Sequence, residues 1–373
     1  MAIIIRDAKV FHLRAQTGRA VVNAFGTIND RQAIFVALQD EDGRWGYGES
    51  WVNFPAWSPW ERRAAMREAY FPYLLRNPVE TVTGFMARMV RAFIGPAVQA
   101  GSVGPMLSAL CGVEMALWEL EGKRKAVGLS ELWFTAPARE VAVYGSGINP
   151  PLPLQDIDAM LDIGVGLFKL KLGFGEEDLK NLDALLKHVG DRARVAVDLN
   201  RGWRFEEAVR WLPMLAERRV RWLEEPLVPR DQGRYAELKE LAAGKVEIAA
   251  GENVWLQMGV GVGPMETMAV DILQPDVTKN CGVSLALELI RNQPAGKTIV
   301  PHFLGSGVGQ AASLHLAAGC PAGLVEWDIN PNPLRTQTMR PGFEIRGGKI
   351  EVPRQAGLAW EVDAGAMERY SVE

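Results

Sequence analysis

The chain opens with strand-like patterning. In "AIFVALQDEDGRWGYGES" (33–50) an apolar run leads into the polar turn at 40–43, and a second run carrying Trp45 and Tyr47 follows. That predicts a β-hairpin within a strand-rich stretch over residues 1–50. From about residue 59 to 125 the period changes. In "MLSALCGVEMALWELEGK" the residues Leu107, Leu110, Val113, Leu117 and Leu120 recur at three- and four-residue steps, one face of a helix, with Gly122 as its expected stop. The first third therefore reads as α+β, strands and then helices.

After about residue 130 short apolar runs recur, each ending in polar residues: "VAVYGSG" (141–147), "LFKLKLG" (167–173), "RVAVDLN" (194–200), "VRWLEEP" (220–226), "VEIAAGEN" (246–253), "DILQPDV" (271–277), "TIVPHF" (298–303) and "GLVEWDI" (323–329). Segments of helical texture separate them. Strand–helix alternation repeated this often predicts parallel βα units, and eight strands suggest a closed barrel. An open doubly wound sheet usually carries a Gly-rich phosphate loop after its first strand, and no GxGxxG follows residue 147. One ionisable residue stands near the end of seven consecutive runs: Lys171, Asp198, Glu224, Glu252, Asp276, His302 and Glu326, spaced 24 to 28 residues apart. That is the length of one βα unit. In a βα barrel these ends converge on the face where chemistry is done.

Composition works mainly by exclusion. The 373 residues suit one barrel plus a smaller domain, and 48% apolar with 23% charged content is that of an ordinary soluble globular protein. A net charge of −4 argues against a nucleic-acid partner, and "RRAAMR" (62–67) reads as a solvated helix face. Cys111, Cys281 and Cys320 are sparse, odd in number and without a CxxC, which suits a reducing, cytoplasmic setting. Charge at Arg6 comes too early for a secretory leader, and no uncharged apolar run reaches membrane-spanning length, so no membrane partner is expected. Capped barrels often form symmetric assemblies, so a homo-oligomer is expected.

The chemistry lies in the constellation. Asp198, Glu224 and Glu252 stand on three adjacent strands, and three carboxylates close together repel unless a cation holds them. Oxygen-only ligands favour Mg2+, with Mn2+ as an alternative. Lys169 and Lys171 share one face of the preceding strand and would look onto that centre. Two ammonium groups beside a dication disfavour further positive charge, so a lysine pKa is expected to fall towards the working pH and make a base.

The series KxK, Asp-x-Asn, Glu-Glu-Pro, Gly-Glu-Asn, Gln-Pro-Asp, Pro-His and a late Glu resembles the enolase superfamily, more narrowly its mandelate racemase subgroup. The resemblance covers nearly the whole chain, including "ALWELEGK" (116–123). It implies an α+β capping domain (1–128) with lid loops near 16–23 and 51–60, a (β/α)7β modified TIM barrel (129–335), and a tail (336–373) that returns to the cap. It implies Asp198, Glu224 and Glu252 as metal ligands, Lys171 as the base on one face of a carboxylate substrate, and Lys169 as the group that neutralises the substrate carboxylate. His302 oriented by Asp276 matches the dyad on the other face. Glu326, expected protonated, matches a hydrogen-bond partner of the developing enediolate. Asn200, Arg201, Trp51 and Phe54 are expected at the substrate.

Arg201 stands where a neutral residue is common in the family, and it suits contact with a second anionic group. "KNCGVS" (279–284) replaces a more usual double glycine; Lys279 is a weaker candidate for the site, while His302 with Asp276 favours the mandelate-racemase side over cycloisomerases of the muconate type. The expected reaction is abstraction of the α-proton of a hydroxycarboxylate. Dehydration of an aldonic or aldaric acid is the favoured outcome, racemisation or epimerisation the alternative, and a Schiff-base lysine aldolase a remote one.

Overall fold

The structure is a computed structural model and describes residues 2–23, 26–254, 265, 267–280 and 282–372. Three antiparallel strands, β1 (Ile5–Asn23), β2 (Gly26–Asp40) and β3 (Trp45–Ser50), form the N-terminal sheet in the order β1-β2-β3. A short strand near the C-terminus, Ser371–Val372, adds to the free edge of β1 through His12↔Val372. The helix Val103–Lys125 lies against this sheet. Two glycines let it lie so close. A Cβ on Gly46 would fall 2.4 Å from the carbonyl oxygen of Ala116, and one on Gly48 2.0 Å from that of Gly112. Gly122 does not stop the helix. It packs against the backbone of Gly357, and the helix runs on to Lys125, ending where Ala126 turns left-handed at φ 54°. By length and composition this helix is apolar enough to cross a membrane, and 72% of its most apolar window is buried inside the fold.

Eight parallel strands follow: β4 (Glu140–Ile148), β5 (Leu167–Lys171), β6 (Arg194–Asp198), β7 (Trp222–Glu224), β8 (Glu247–Ala250), β9 (Ile272–Leu273), β10 (Thr298–Ile299) and β11 (Leu324–Asp328). They pair in the order β10-β9-β8-β7-β6-β5-β4-β11, a curled sheet with helices outside it. Among the described residues no backbone ladder joins β10 to β11. The Phe303 amide spans that seam by donating to Glu326 Oε2 at 3.1 Å, and Gln310 Nε2 donates to the Glu326 backbone carbonyl at 3.2 Å.

The two faces of each strand separate the core into two clusters, as a period of two requires. Outward residues such as Phe168, Leu170, Val195, Val197, Leu223 and Ile248 pack under the helices. Inward, Tyr144, Ala196, Trp222, Ala249, Ile272 and Val300 fill the barrel. A fully buried Phe or Leu contributes about 1.5–3 kcal/mol before the entropy of ordering it is subtracted. The same alternation aims Lys169 and Lys171 inward between Phe168 and Leu170, which explains a lysine pair inside a buried strand.

The cap is fastened to the barrel by carboxylates. Glu49 on β3 accepts from the Ser306 amide (2.8 Å), Ser306 Oγ (2.6 Å) and the Gly309 amide (2.7 Å), and so caps the barrel helix Gly307–Ala317. Glu114 accepts from the amides of Val283 (3.1 Å) and Ser284 (2.7 Å) at the start of Gly282–Arg291. Each joins a negative charge to a helix N-terminus, where unsatisfied N–H groups and the helix dipole favour it.

Candidate active site

The carboxyl ends of the barrel strands place the expected side chains in register. Lys171 pairs with Asp198 across β5 and β6, and Asp198 with Glu224 across β6 and β7. Asp198, Glu224, Glu252, Asp276 and Glu326 are all buried. Lys169 Nζ lies 2.5 Å from Glu224 Oε1, 2.8 Å from Glu326 Oε1 and 3.5 Å from Asp198 Oδ2. Lys171 pairs with Asp198 and donates to Asn200 Oδ1 at 2.8 Å. On the other side His302 Nδ1 is 2.7 Å from Asp276 Oδ2, and Thr278 holds the second Asp276 oxygen through its amide (2.8 Å) and hydroxyl (2.6 Å). With Nδ1 donating to Asp276, His302 Nε2 faces Glu252 at 3.3 Å and Glu326 at 3.7 Å.

Lys279 lies closer to this chemistry than its sequence position suggested. Its Nζ is 2.5 Å from Glu252 Oε2 and sits 4.6 Å from the centre of the Trp51 ring. Trp51 itself is fixed to the barrel, its amide donating to Thr278 O (2.9 Å) and its indole to Leu304 O (3.1 Å). The segment 51–60 is thus anchored at its start and turns into the helix Ser58–Ala65, so it forms a wall in this structure. Trp57 and Trp60 point to solvent. The other lid segment, 16–23, belongs to the outer arm of the β1–β2 hairpin; residues 24 and 25 and the side chains of 22 and 23 lie outside the described residues, as does Cys281. His12, His188 and His315 play other parts: His12 meets Gln32, His188 meets Asp158, and buried His315 bridges the Ser130 amide and the Leu358 carbonyl.

Three residues at the strand ends hold left-handed backbone without being glycine: Asn200 (φ 44°), Arg201 (φ 65°) and Glu225 (φ 39°). Such strain costs about 1–3 kcal/mol each and gathers at functional sites. Above the mouth a cavity of about 360 Å3 opens between cap and barrel. Lys171, Asn200, Arg201, Glu252, Lys279 and His302 line its floor, and Trp51, Phe54, Arg31 and Arg62 its cap side.

Sequence patterning missed the last two. "RRAAMR" is no solvated face, because Arg62 and Arg63 are buried where the helix Ser58–Ala65 folds down onto the sheet. Arg31 was legible in principle: it shares parity along β2 with Ala33 and Phe35, which belong to the cluster that includes the barrel.

The electrostatics depart from expectation in two places. Burial alone would lower Lys169 and Lys171, but Glu224, Glu326 and Asp198 raise Lys169, and Asp198 raises Lys171, so both ammonium groups are held charged and not eased towards neutrality. Glu326, expected protonated, shifts the other way: burial would raise it, but Lys169 and His302 bring it below the usual carboxylate range. Glu224 is raised by burial and by Asp198 and Glu326 beside it, despite Lys169. His302 is opposed by burial, yet Glu252, Glu326 and Asp276 carry it up to about 9.

The donor set suits a hard dication. Asp198 and Glu224 end adjacent strands and Glu252 follows the next, so three buried carboxylates offer oxygen donors of the kind such an ion prefers. Among the described residues no three acidic, imidazole or thiol groups stand around one point, since Lys169, Lys171 and Lys279 engage their oxygens. An ion at Asp198, Glu224 and Glu252 would take the place of those ammonium contacts.

Comparison with known proteins agrees with this architecture. Residues 5–133 match the mandelate racemase / muconate lactonizing enzyme N-terminal domain family, and residues 154–366 the enolase C-terminal domain-like family. A D-galactarolactone cycloisomerase of Agrobacterium fabrum is 28% identical over 91% of this chain and 92% of its own. An arabinonate dehydratase of Saccharolobus solfataricus is 26% identical over 91% of this chain and 90% of its own. A crystal structure of a mandelate racemase/muconate lactonizing enzyme from Bordetella bronchiseptica superposes with a TM-score of 0.87 at 28% identity, covering 99% of both chains.

Proposed function

The chain belongs to the enolase superfamily, in the mandelate racemase and muconate lactonizing enzyme group, and is an enzyme of the lyase or isomerase kind; on that premise we propose that it dehydrates an acid sugar to a 2-keto-3-deoxy acid. One observation carries the reading. Lys171 on β5 and the His302–Asp276 pair beyond β10 and β9 reach the same cavity from opposite sides of the barrel, with Asp198, Glu224 and Glu252 on the strands between. A substrate carbon held over the carboxylates would meet a proton acceptor on one face and a proton donor on the other.

Asp198, Glu224 and Glu252 would hold Mg2+, or Mn2+ as the alternative. Bound there, the ion supplies Lewis-acid stabilisation of the substrate carboxylate. Were Asp198 and Glu224 to hold such a cation, their attraction on Lys171 would be reduced, and burial and the neighbouring Lys169, which both lower it, would favour the free amine. Lys171 then takes the α-proton. Lys169, held by Glu224 and Glu326, places positive charge where the enediolate develops. Glu326 acts through Lys169 and His302 as a positioning group. His302 Nε2, aimed into the mouth, gives its proton to the departing β-hydroxyl, and Asp276 fixes the ring for that transfer. A Schiff base is disfavoured at Lys169, which Glu224, Glu326 and Asp198 hold as an ammonium group against burial.

The test is an acid-sugar library incubated with Mg2+ in D2O. Keto acid detected with semicarbazide is the expected result, and Lys171→Ala or His302→Ala should each lower its rate roughly 100-fold or more. Deuterium in recovered substrate without keto acid would instead assign racemisation or epimerisation, which the same opposed pair serves. Borohydride trapping of enzyme with substrate, together with insensitivity to EDTA, would assign the lysine aldolase.

A further inference from the structure

The cap side of the cavity carries guanidinium groups that the reaction above does not use. Arg31 is 1% exposed and pairs with Asp328, the last residue of β11, while its Nε is buried without a partner among the described residues. Arg335 lies behind it, stacked 4.4 Å from the centre of the Trp327 ring, with Nε and one terminal nitrogen also unpartnered. Asp328 is thus one carboxylate facing two buried guanidinium groups. Arg62, 6% exposed, reaches the same cavity from the helix Ser58–Ala65; Glu61 (2.8 Å) and the Ser58 carbonyl (3.4 Å) meet one terminal nitrogen, and its Nε has no partner among the described residues. Arg31 and Arg62 both line the cavity, and guanidinium groups gathered on one wall of a largely buried cavity are matched by an anion.

The position of this wall gives it a meaning. The proposed ion ligands stand on β6, β7 and just past β8, whereas Arg31 is docked at the end of β11, next to β4 and on the other side of the mouth. A substrate whose reacting carboxylate lies over Asp198, Glu224 and Glu252 therefore extends towards Arg31 and Arg62. We propose that the substrate is a dicarboxylate, an aldarate or its monolactone and not an aldonate, with its second carboxylate held by Arg31 and Arg62 against the cap. This rests on the reading of the site as an acid-sugar enzyme and narrows it. A neutral terminal hydroxyl would leave the positive charge of that wall uncompensated; a carboxylate brings the opposite charge and two oxygens for the guanidinium groups.

Two measurements test this. In the first, kcat/KM is compared for galactarate and galactonate, which differ only in the remote group, with the wild-type enzyme, Arg62→Met and Arg62→Lys. The expected result is preference for the diacid, a fall of that preference by roughly 10- to 100-fold in Arg62→Met, and partial recovery in Arg62→Lys. Structural damage would lower both substrates alike and leave their ratio unchanged. Equal or better turnover of the monoacid, or a ratio that Arg62→Met does not move, overturns the inference while the dehydratase reading stands. In the second, adipate and hexanoate, neither able to react, are titrated calorimetrically into the magnesium-loaded enzyme and the Arg62→Met variant. Tighter binding of adipate that weakens in the variant supports the inference even if neither sugar acid is turned over, an outcome that would count against the reaction. Equal binding of adipate and hexanoate overturns it.

Discussion

His302 Nδ1 and Asp276 Oδ2 lie 2.7 Å apart at the closed end of the mouth, and Thr278 holds the remaining Asp276 oxygen through two hydrogen bonds. Asp276 therefore cannot turn without breaking three contacts, and the imidazole it holds keeps Nε2 towards the cavity. Asp276→Asn keeps the shape and removes the charge. The rate of product formation should fall roughly 100-fold or more. In the metal-free protein, the His302 pKa should drop from about 9 towards the ordinary imidazole value of 6.5. Because the folded value exceeds the unfolded one, His302 contributes stability that is full below the unfolded pKa and is lost as pH rises through about 9. In the variant that loss begins at lower pH, and titration of the ring by NMR reads it directly.

Glu49 gives a second pH signature, at the seam between cap and barrel. Its carboxylate caps Gly307–Ala317 from the cap sheet, and burial pushes it up to about 7 despite the hydrogen bonds from Ser306 and Gly309. A carboxyl with a raised folded pKa is bound to its proton more tightly in the fold. Stability from this group is therefore full below the unfolded value and falls as pH rises through about 7, by roughly 3 kcal/mol in all. Glu49→Gln should flatten that part of the melting-temperature profile between pH 5 and 8. An unchanged slope would mean that the cap does not depend on this charge.

Removing the ion should act on stability as well as on rate. EDTA should abolish turnover, and Mg2+ at 100 times its dissociation constant should add about 2.7 kcal/mol to folding stability. Asp198→Asn and Glu252→Gln should each lose most of that thermal shift. A shift that persists in both variants would move the ion elsewhere.

Much of this architecture could be read from the chain because one rule serves both core and site. Phe168 and Leu170 face out and Lys169 and Lys171 face in, so the pleat that builds the barrel also delivers its charges, and the 24- to 28-residue spacing sets them on successive strands. Long-range relationships were less accessible. Whether Arg62 is solvated depends on a sheet some 30 residues earlier and a barrel far later. Glu49 and Glu114 cap helices more than 160 residues away, and no local cap pattern announces them. The charge state of Lys171 depends on which carboxylate it meets. The lysine pair predicted mutual repulsion, whereas Asp198 within reach of both reverses the sign. Gly122 looked like a helix stop because its neighbour Gly357, which it packs against, lies in the tail.

The central claim is that one divalent ion sits among Asp198, Glu224 and Glu252, with Lys171 and His302 on either flank. A crystal grown with Mn2+ and measured at its absorption edge tests it most directly. The account predicts a single strong anomalous peak within about 2.0–2.3 Å of an oxygen from each of the three carboxylates, with the Lys169 and Lys171 ammonium groups displaced from it. A peak at any other place, or none while both lysines still clasp Asp198, would contradict it.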